Sequence, residues 1–427
     1  MLVPDPVWGP IEIDDWVLPL LASPEIQRLR QVRLLNSSPS GLPALSDVRR
    51  FTHTVGVTGL GCRIVRSLAP DVSRGERRAL VAACVLHDVG TPPFGHSFEY
   101  LLRSQTGWTH ESMLPRLLKG DYRPEGRYAQ IFHGKQLSLR PLLKQLDVPE
   151  DLVVQYVQGE GRLGGLIAGA LDLDNIDNVF RMALLLGLGA NRDDALALAD
   201  SMSIDDRGTL WGRDGLEAIE SWGNLRHQVY SILAFDPSNL QYQAMLTEAL
   251  RLAMDNAILS DEHWSWTDEA LLDKLEREAA TRSVVRRLLA GPPYRLVFTG
   301  WYKQGGDVQV DLRRSDHSEK LRSALDDRLS VPTCPYVFYD RGTFRKGLRV
   351  NVRLESGGSE TVSFGEKSVS TIACVYARTA NPRSSARVEV EGAIEVLERF
   401  GLNPSNLAAI PSKHEIYGIP GQTQLPL

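Results

Sequence analysis

Residues 86–99 read LHDVGTPPFGHSFE, and the fold turns on them. The segment leading in, ERRALVAACVLHDVG (76–90), is apolar on nearly every side, the pattern of a helix buried on all faces. It is expected to stop at Gly90, just ahead of Pro92 and Pro93, as helices do before prolines. His87 and Asp88 therefore close a buried helix. A carboxylate in that setting is costly unless it is paired or bound to a metal, and the adjacent imidazole offers a borderline-soft nitrogen ligand.

Working outward, a second histidine, His53, opens an earlier helix in RRFTHTVGV (49–57). Val57, Leu60, Ile64 and Leu68 form one apolar stripe along that helix. A third element is LDLDNID (171–177), in which Asp174 and Asp177 are three apart and share a helix face while Asp172 points elsewhere. Two His and two Asp can bind a transition metal and leave positions open for water. The dipeptide HD alone carries almost no information, and the competing reading is a salt-bridged structural cluster. The case rests on several elements arriving together.

That ordered set resembles the HD-domain superfamily, whose pattern H…HD…D is filled by His53, His87, Asp88 and Asp174. Within the superfamily the chain is most similar to the deoxynucleoside triphosphate triphosphohydrolases (the dGTPase group). The shared text is IQRLRQV (26–32), RFTHTVGV (50–57), LHDVGTPPFGHSFE (86–99), WTHE (108–111), LDLDNID (171–177) followed by Arg181, and LRHQVY (225–230), covering roughly residues 10–260. The resemblance implies a mainly α fold and a divalent transition metal on those four ligands (Mn, Fe, Zn, Co or Ni, with Mg accompanying the substrate). It also implies a nucleotide substrate and a homo-oligomer.

The family's catalytic helpers fall at His96, Glu99 and His110. Phosphate ester cleavage needs a nucleophile, neutralisation of oxyanion charge and a proton for the leaving oxygen. A histidine held by a carboxylate can move that proton near neutral pH, a role that fits Glu99 orienting His110, with His96 lining the same pocket. By the same resemblance Arg50 grips phosphate through a bidentate fork, and Asp177 and Tyr230 contact substrate. Arg181 is expected in a structural ion pair. His133, His227, His263, His317 and His414 have no motif context and are read as surface or packing residues.

Departures from the family pattern matter as much as the matches. Thr91 stands where the loop after HD usually has a histidine, Asn175 in the place of a lysine, and Asn178 in the place of a tyrosine. Met182 replaces an aspartate, Trp222 an arginine and Leu34 a glutamine. In the family those positions serve triphosphate and deoxyribose. The expected pocket is less cationic, and losing charged phosphate contacts costs on the order of 1.5–3 kcal/mol each. The substrate reading therefore stays open between a dNTP, another nucleotide and the end of a nucleic acid. A nucleotide-binding sensor without turnover is the further alternative.

The bulk numbers agree with a cytoplasmic enzyme. The chain has 427 residues, 43% hydrophobic and 24% charged, with a formal net charge of −5. That length suggests more than one domain, and the charge does not advertise nucleic-acid binding. The only basic features toward a nucleic acid are Arg28, Arg30 and Arg33 on one helix and the Arg286–Arg287 pair. Four cysteines (Cys62, Cys84, Cys334, Cys374) include no CxxC pair, and Cys62 and Cys84 read as small buried residues. No signal peptide or membrane span is expected.

Helices are expected over most of 15–291, with Thr109 capping one at 107–118 and a single amphipathic helix over 269–291. Short β-branched and aromatic runs follow: YRLVFTGWY, DVQVDLRR, YVFYD, LRVNVRLE, ETVSFG and STIACVYAR, then a helix over Arg387–Phe400. We place a boundary near residue 292. A helical domain (1–291, core about 10–260) precedes a C-terminal α+β lobe (292–427).

Overall fold

The computed structural model describes residues 1–120, 139–205, 208–291, 293–303, 315–340, 347–354, 358–365, 369–379, 385–412 and 415–416. His133, His414 and the strand expected over DVQVDLRR lie outside the described residues. The fold is mainly α. Helix α1 (Arg50–Ser67) packs along α2 (Arg74–Leu86). A Ser73/Glu76 capping box starts α2, and its residues Ala79–Leu86 are all buried, as the apolar run predicts. The chain turns out of the helix at His87.

After the loop come α3 (His96–Thr106) and α4 (His110–Lys119). Thr109 caps α4 in a box with Ser112, which satisfies two of the orphan amides at its start. Helix α5 (Glu150–Val157) packs on α2. Helix α6 (Leu173–Leu185), capped by Asp172, lies across α1 and against α7 (Leu216–Phe235). Then follow α8 (Pro237–Asp255), α9 (Asp268–Arg277) and α10 (Ala279–Leu289).

The last pair replaces the single helix expected over 269–291. Glu278 adopts an extended conformation (φ −83°, ψ 132°) and folds α10 back on α9. The carbonyls exposed by the break are taken up by side chains: Thr281 Oγ1 donates to Leu275 O, and Arg282 to Glu276 O and Arg277 O. Amphipathic periodicity runs straight through such a break, because both halves bury the same kind of face. The helix expected over 25–35 is likewise shorter, an α-turn over Pro24–Arg28 running into a 3₁₀ turn over Leu29–Gln31.

The C-terminal part of the chain holds β5 (Arg295–Lys303), β6 (Thr333–Asp340), β9 (Ser370–Ala377) and the short β10 (Leu407–Ala408), an antiparallel sheet in the order β10–β5–β9–β6. Strand β9 is buried throughout, and its side chains alternate. Ala373, Val375 and Ala377 pack under α11 (Ser315–Leu329) and α12 (Ala386–Arg399). Ile372, Cys374 and Tyr376 join a core with α8 and α9. A second sheet, β3 (Met202–Asp205), β4 (Gly208–Trp211), β7 (Leu348–Arg353) and β8 (Ser359–Phe364), pairs strands from both parts of the chain, with β4 and β7 parallel. Leu348, Val350 and Val352 thereby enter the main helical core.

The first residues form a hairpin, β1 (Leu2–Asp5) with β2 (Gly9–Glu12), in register Asp5 to Gly9. It lies against α1. All four cysteines are free and buried. No described helix is long and apolar enough to cross a membrane.

Candidate metal centre

The loop after α2 is fastened on every side. Arg28 is buried, and its guanidinium donates to Val89 O (2.9 Å), Thr91 O (2.7 Å) and Trp266 O (2.9 Å). Trp264 Nε1 donates to Gly90 O, and Asn36 Nδ2 to Phe94 O. Phe94 N donates to the buried Asp268 (2.8 Å). The turn into α3 needs a left-handed backbone: Phe94 has φ 57° and Gly95 φ 48°. A Cβ at Gly95 would also press on the Arg50 guanidinium. These anchors fix where His87 and Asp88 point.

Four groups from three helical elements then converge. His53 Nε2 lies 3.2 Å from His87 Nε2, 2.9 Å from Asp174 Oδ1 and 3.8 Å from Asp88 Oδ2. His87 Nε2 lies 3.5 Å from Asp88 Oδ2 and 3.9 Å from Asp174 Oδ1. Both rings have fixed tautomers. His53 Nδ1 donates to Asp177 Oδ2 (2.7 Å), and His87 Nδ1 donates to the Cys84 carbonyl (2.8 Å). The Nε2 atoms of both rings are left to face one another and the carboxylates, a contact that a proton on His53 satisfies and that a metal ion in its place would satisfy equally. Ligands about 2.1 Å from a metal and at right angles to one another sit roughly 3 Å apart, close to the His53–Asp174 (2.9 Å) and His53–His87 (3.2 Å) separations. The donor set of two imidazoles and two carboxylates fits a transition metal.

The electrostatics of the polypeptide agree. Burial works to raise Asp88, but Arg50 and His87 hold it well below the usual carboxylate range. Burial would lower His53, yet its bonds to Asp174 and Asp177 raise it to about 10. A site that holds a proton so tightly between carboxylates is one that a metal ion can claim by displacing it.

A second group stands beside the first. Glu99 Oε2 accepts from His96 Nδ1 (2.8 Å), and Glu99 Oε1 accepts from His110 N (2.8 Å) and His110 Nδ1 (3.1 Å). The rings of His96 and His110 meet edge to face at 5.4 Å. The His110 carbonyl packs against Gly90, two residues past Asp88. Burial works to raise Glu99, but the two histidines hold it below its ordinary range. Burial works to lower His110, but Glu99 raises it. Glu99 is buried while the His96 side chain is 74% exposed.

Arg50 and Asp177, expected at substrate, are engaged elsewhere. The Arg50 Nη1 donates to both oxygens of Asp88 (2.7 Å each) and Nη2 to Leu34 O (3.3 Å), so its fork grips a carboxylate of the centre rather than a phosphate. Asp177 is wholly buried. Its oxygens are taken by His53, Arg181 (2.9 and 2.8 Å) and Trp8 Nε1 (2.6 Å), which leaves none for a substrate. Three residues on a helix rotate the side chain by about 60°, enough to send Asp174 to the centre and Asp177 behind it. Arg181 is in the structural ion pair expected of it. Tyr230 lies on α7 with the Arg226 guanidinium 4.4 Å from its ring centre, within electrostatic reach of Asp172 and Asp174. Sequence reading missed Trp8, Asp5 and Arg28. No short motif marks them, because their partners are 61 to 238 residues away.

The basic residues that suggested nucleic acid have partners within the chain, with Arg30 exposed and donating to Gln27 Oε1 (3.3 Å). Arg28 holds the loop, Arg33 bonds to Tyr242 and Glu269, Arg286 pairs with Glu276, and Arg287 donates to Arg378 O.

The HD-domain family model matches residues 50–126, which contain His53, His87, Asp88, His96, Glu99 and His110. The match places an HD domain within this chain, and parts of the chain are similar to deoxynucleoside triphosphate triphosphohydrolases. It is 26% identical over 273 residues to the Bacillus subtilis "Uncharacterized protein YwfO", covering 62% of this chain and 57% of that one. It is 34% identical over 119 residues to the Bos taurus "Deoxynucleoside triphosphate triphosphohydrolase SAMHD1", covering 26% of this chain and 20% of that one. To the human protein of the same name it is 33% identical over 119 residues, 26% of this chain and 19% of that one. The matched segments thus span from about a fifth to just over half of these relatives' length.

Proposed function

We propose that the protein is a metal-dependent phosphohydrolase acting on a nucleotide-type phosphoester. The observation that carries this reading is the convergence of His53 Nε2 and His87 Nε2, 3.2 Å apart, with Asp174 and Asp88. A divalent ion held there supplies Lewis acidity toward a phosphoryl oxygen and acidifies a water.

The chain's own residues supply the rest. Glu99 fixes the His110 ring through Nδ1. His110 Nε2, 3.3 Å from Glu111 Oε1, is the ring nitrogen left to move one proton. As a water oxygen bonds to phosphorus and the P–O ester bond breaks, His110 protonates the leaving oxygen. Glu99 keeps the imidazolium form available by its charge. Arg226 stacks on Tyr230, which lies within electrostatic reach of Asp174, and a guanidinium there could hold a phosphate.

The dNTP triphosphohydrolase activity named for SAMHD1 is one form of this reaction. Three positions that the resemblance assigns to triphosphate and sugar hold buried apolar residues here (Leu34, Met182 and Trp222). Asn175 caps its own helix on Asp172. With Arg50 bound to Asp88, these features favour a substrate carrying less charge than a triphosphate.

The test is to strip and restore metals, offer a panel of nucleoside mono-, di- and triphosphates, and separate the products, with Asp88→Ala in parallel. Metal-dependent phosphate release by the wild type alone is expected. Tight nucleotide binding without turnover in the metal-loaded protein would overturn the enzyme reading in favour of a sensor.

A further inference from the structure

His53 is held from behind by a buried polar chain that ends outside the helical bundle. Asp177 Oδ2 takes its Nδ1–H (2.7 Å), and Arg181 clamps both Asp177 oxygens from Nε (2.9 Å) and Nη2 (2.8 Å). The same Nη2 reaches Asp5 Oδ2 at 2.9 Å. Asp5 sits at the turn of the N-terminal hairpin, where its Oδ1 accepts from Val7 N (2.8 Å) and Trp8 N (3.0 Å). Trp8 closes the ring by donating Nε1 to Asp177 Oδ1 (2.6 Å). Asp5, Trp8, Asp177 and Arg181 are all buried. The cluster leaves no room to spare: a Cβ on Gly56 of α1 would collide with Asp177 and Arg181.

Two carboxylates and one guanidinium leave this cluster one negative charge in excess. That charge faces the Nδ1–H of a ring whose Nε2 belongs to the metal cradle. A carboxylate behind a ligating imidazole fixes its tautomer and orientation and makes it a stronger donor. The hairpin is bound to the bundle at this point, because Asp5 reaches Arg181 and Trp8 reaches Asp177, both on α6.

We propose that the turn of the N-terminal hairpin is a built part of the metal centre. Asp5 and Trp8 are positioning residues that set metal affinity by holding Asp177 against His53. The inference rests on the metal reading of the four-residue cradle.

The test is equilibrium dialysis of the full-length protein against Mn²⁺, with bound metal read by atomic emission and folding checked by circular dichroism. Trp8→Phe keeps an aromatic ring beside Phe180 and removes only the indole donor. Asp5→Asn removes the charge while keeping the shape. Each is expected to weaken Mn²⁺ binding by about 10- to 100-fold, the usual effect of losing a supporting partner of a metal ligand, while the helical spectrum stays that of the wild type. A purely structural role would lower the melting temperature and leave the dissociation constant alone. A folded Trp8→Phe or Asp5→Asn protein with a Kd within about twofold of the wild type overturns this inference only. Failure of the wild type itself to bind Mn²⁺ above a His87→Ala control overturns the metal reading and this inference together.

Discussion

Two histidine clusters lie side by side in this molecule, and they are built on opposite principles. His53 and His87 are buried, each tied through Nδ1 to a fixed acceptor, with the Nε2 atoms turned toward each other and two carboxylates. His96 and His110 share one carboxylate, Glu99, through their Nδ1 atoms. The ring of His96 stands largely in solvent. The same residue types therefore do different things. The first cluster buries both rings and Asp88 and leaves only the Asp174 side chain partly exposed, at 37%. A pair tied at one edge and open at the other can exchange protons with whatever lies outside. Burial, not composition, separates the two clusters.

The sharpest way to break that comparison is to remove a ligand. His87→Ala should abolish both metal retention and hydrolysis, with a loss well beyond the roughly 100-fold that even a supporting residue costs. Metal analysis and product assay on one sample check both at once. Retained metal in that variant would mean the cradle is not the centre.

Removing the proton carrier should have the complementary effect. His110→Ala is expected to keep the wild-type metal content while the rate falls by about 10²–10⁴-fold, the usual contribution of general acid–base catalysis. Loss of metal in His110→Ala would merge the two clusters into one.

A smaller effect sharpens the role of Glu99. Burial pulls the His110 pKa down, but the Glu99 carboxylate pulls it up and wins. A proton donor is active in its protonated form, so activity should fall as pH rises through that raised value. Glu99→Gln removes the charge, lowers the His110 pKa and should move the alkaline limb of the rate profile to lower pH. A limb that stays in place would mean that another group supplies the proton.

Much of this was legible in the sequence, and for identifiable reasons. An all-round apolar helix that ends in His-Asp is chemically unusual enough to mark a site, and Thr109 announces its helix by ordinary capping chemistry. The strands of the C-terminal part of the chain were readable from their β-branched, aromatic composition. What was not legible depends on distance along the chain or on rotation about a helix. Asp177 shares a face with Asp174 but is turned behind His53. Arg50 reads as a phosphate fork until Asp88 is seen in front of it. Arg28 reads as part of a basic face, although it is the anchor of the catalytic loop. The hairpin at residues 2–12 carries no periodicity beyond a few residues, and the role of Trp8 appears only through a partner 169 positions away.

Crystals of the protein soaked in Mn²⁺, with anomalous diffraction recorded near the metal edge, give the most direct test of the central claim. The account predicts a single strong peak bonded to His53 Nε2, His87 Nε2, Asp88 and Asp174, with His110 beside it and unbonded. A peak on His96, Glu99 and His110, whose ligand atoms also lie close enough together to take an ion, with the cradle empty, would contradict it.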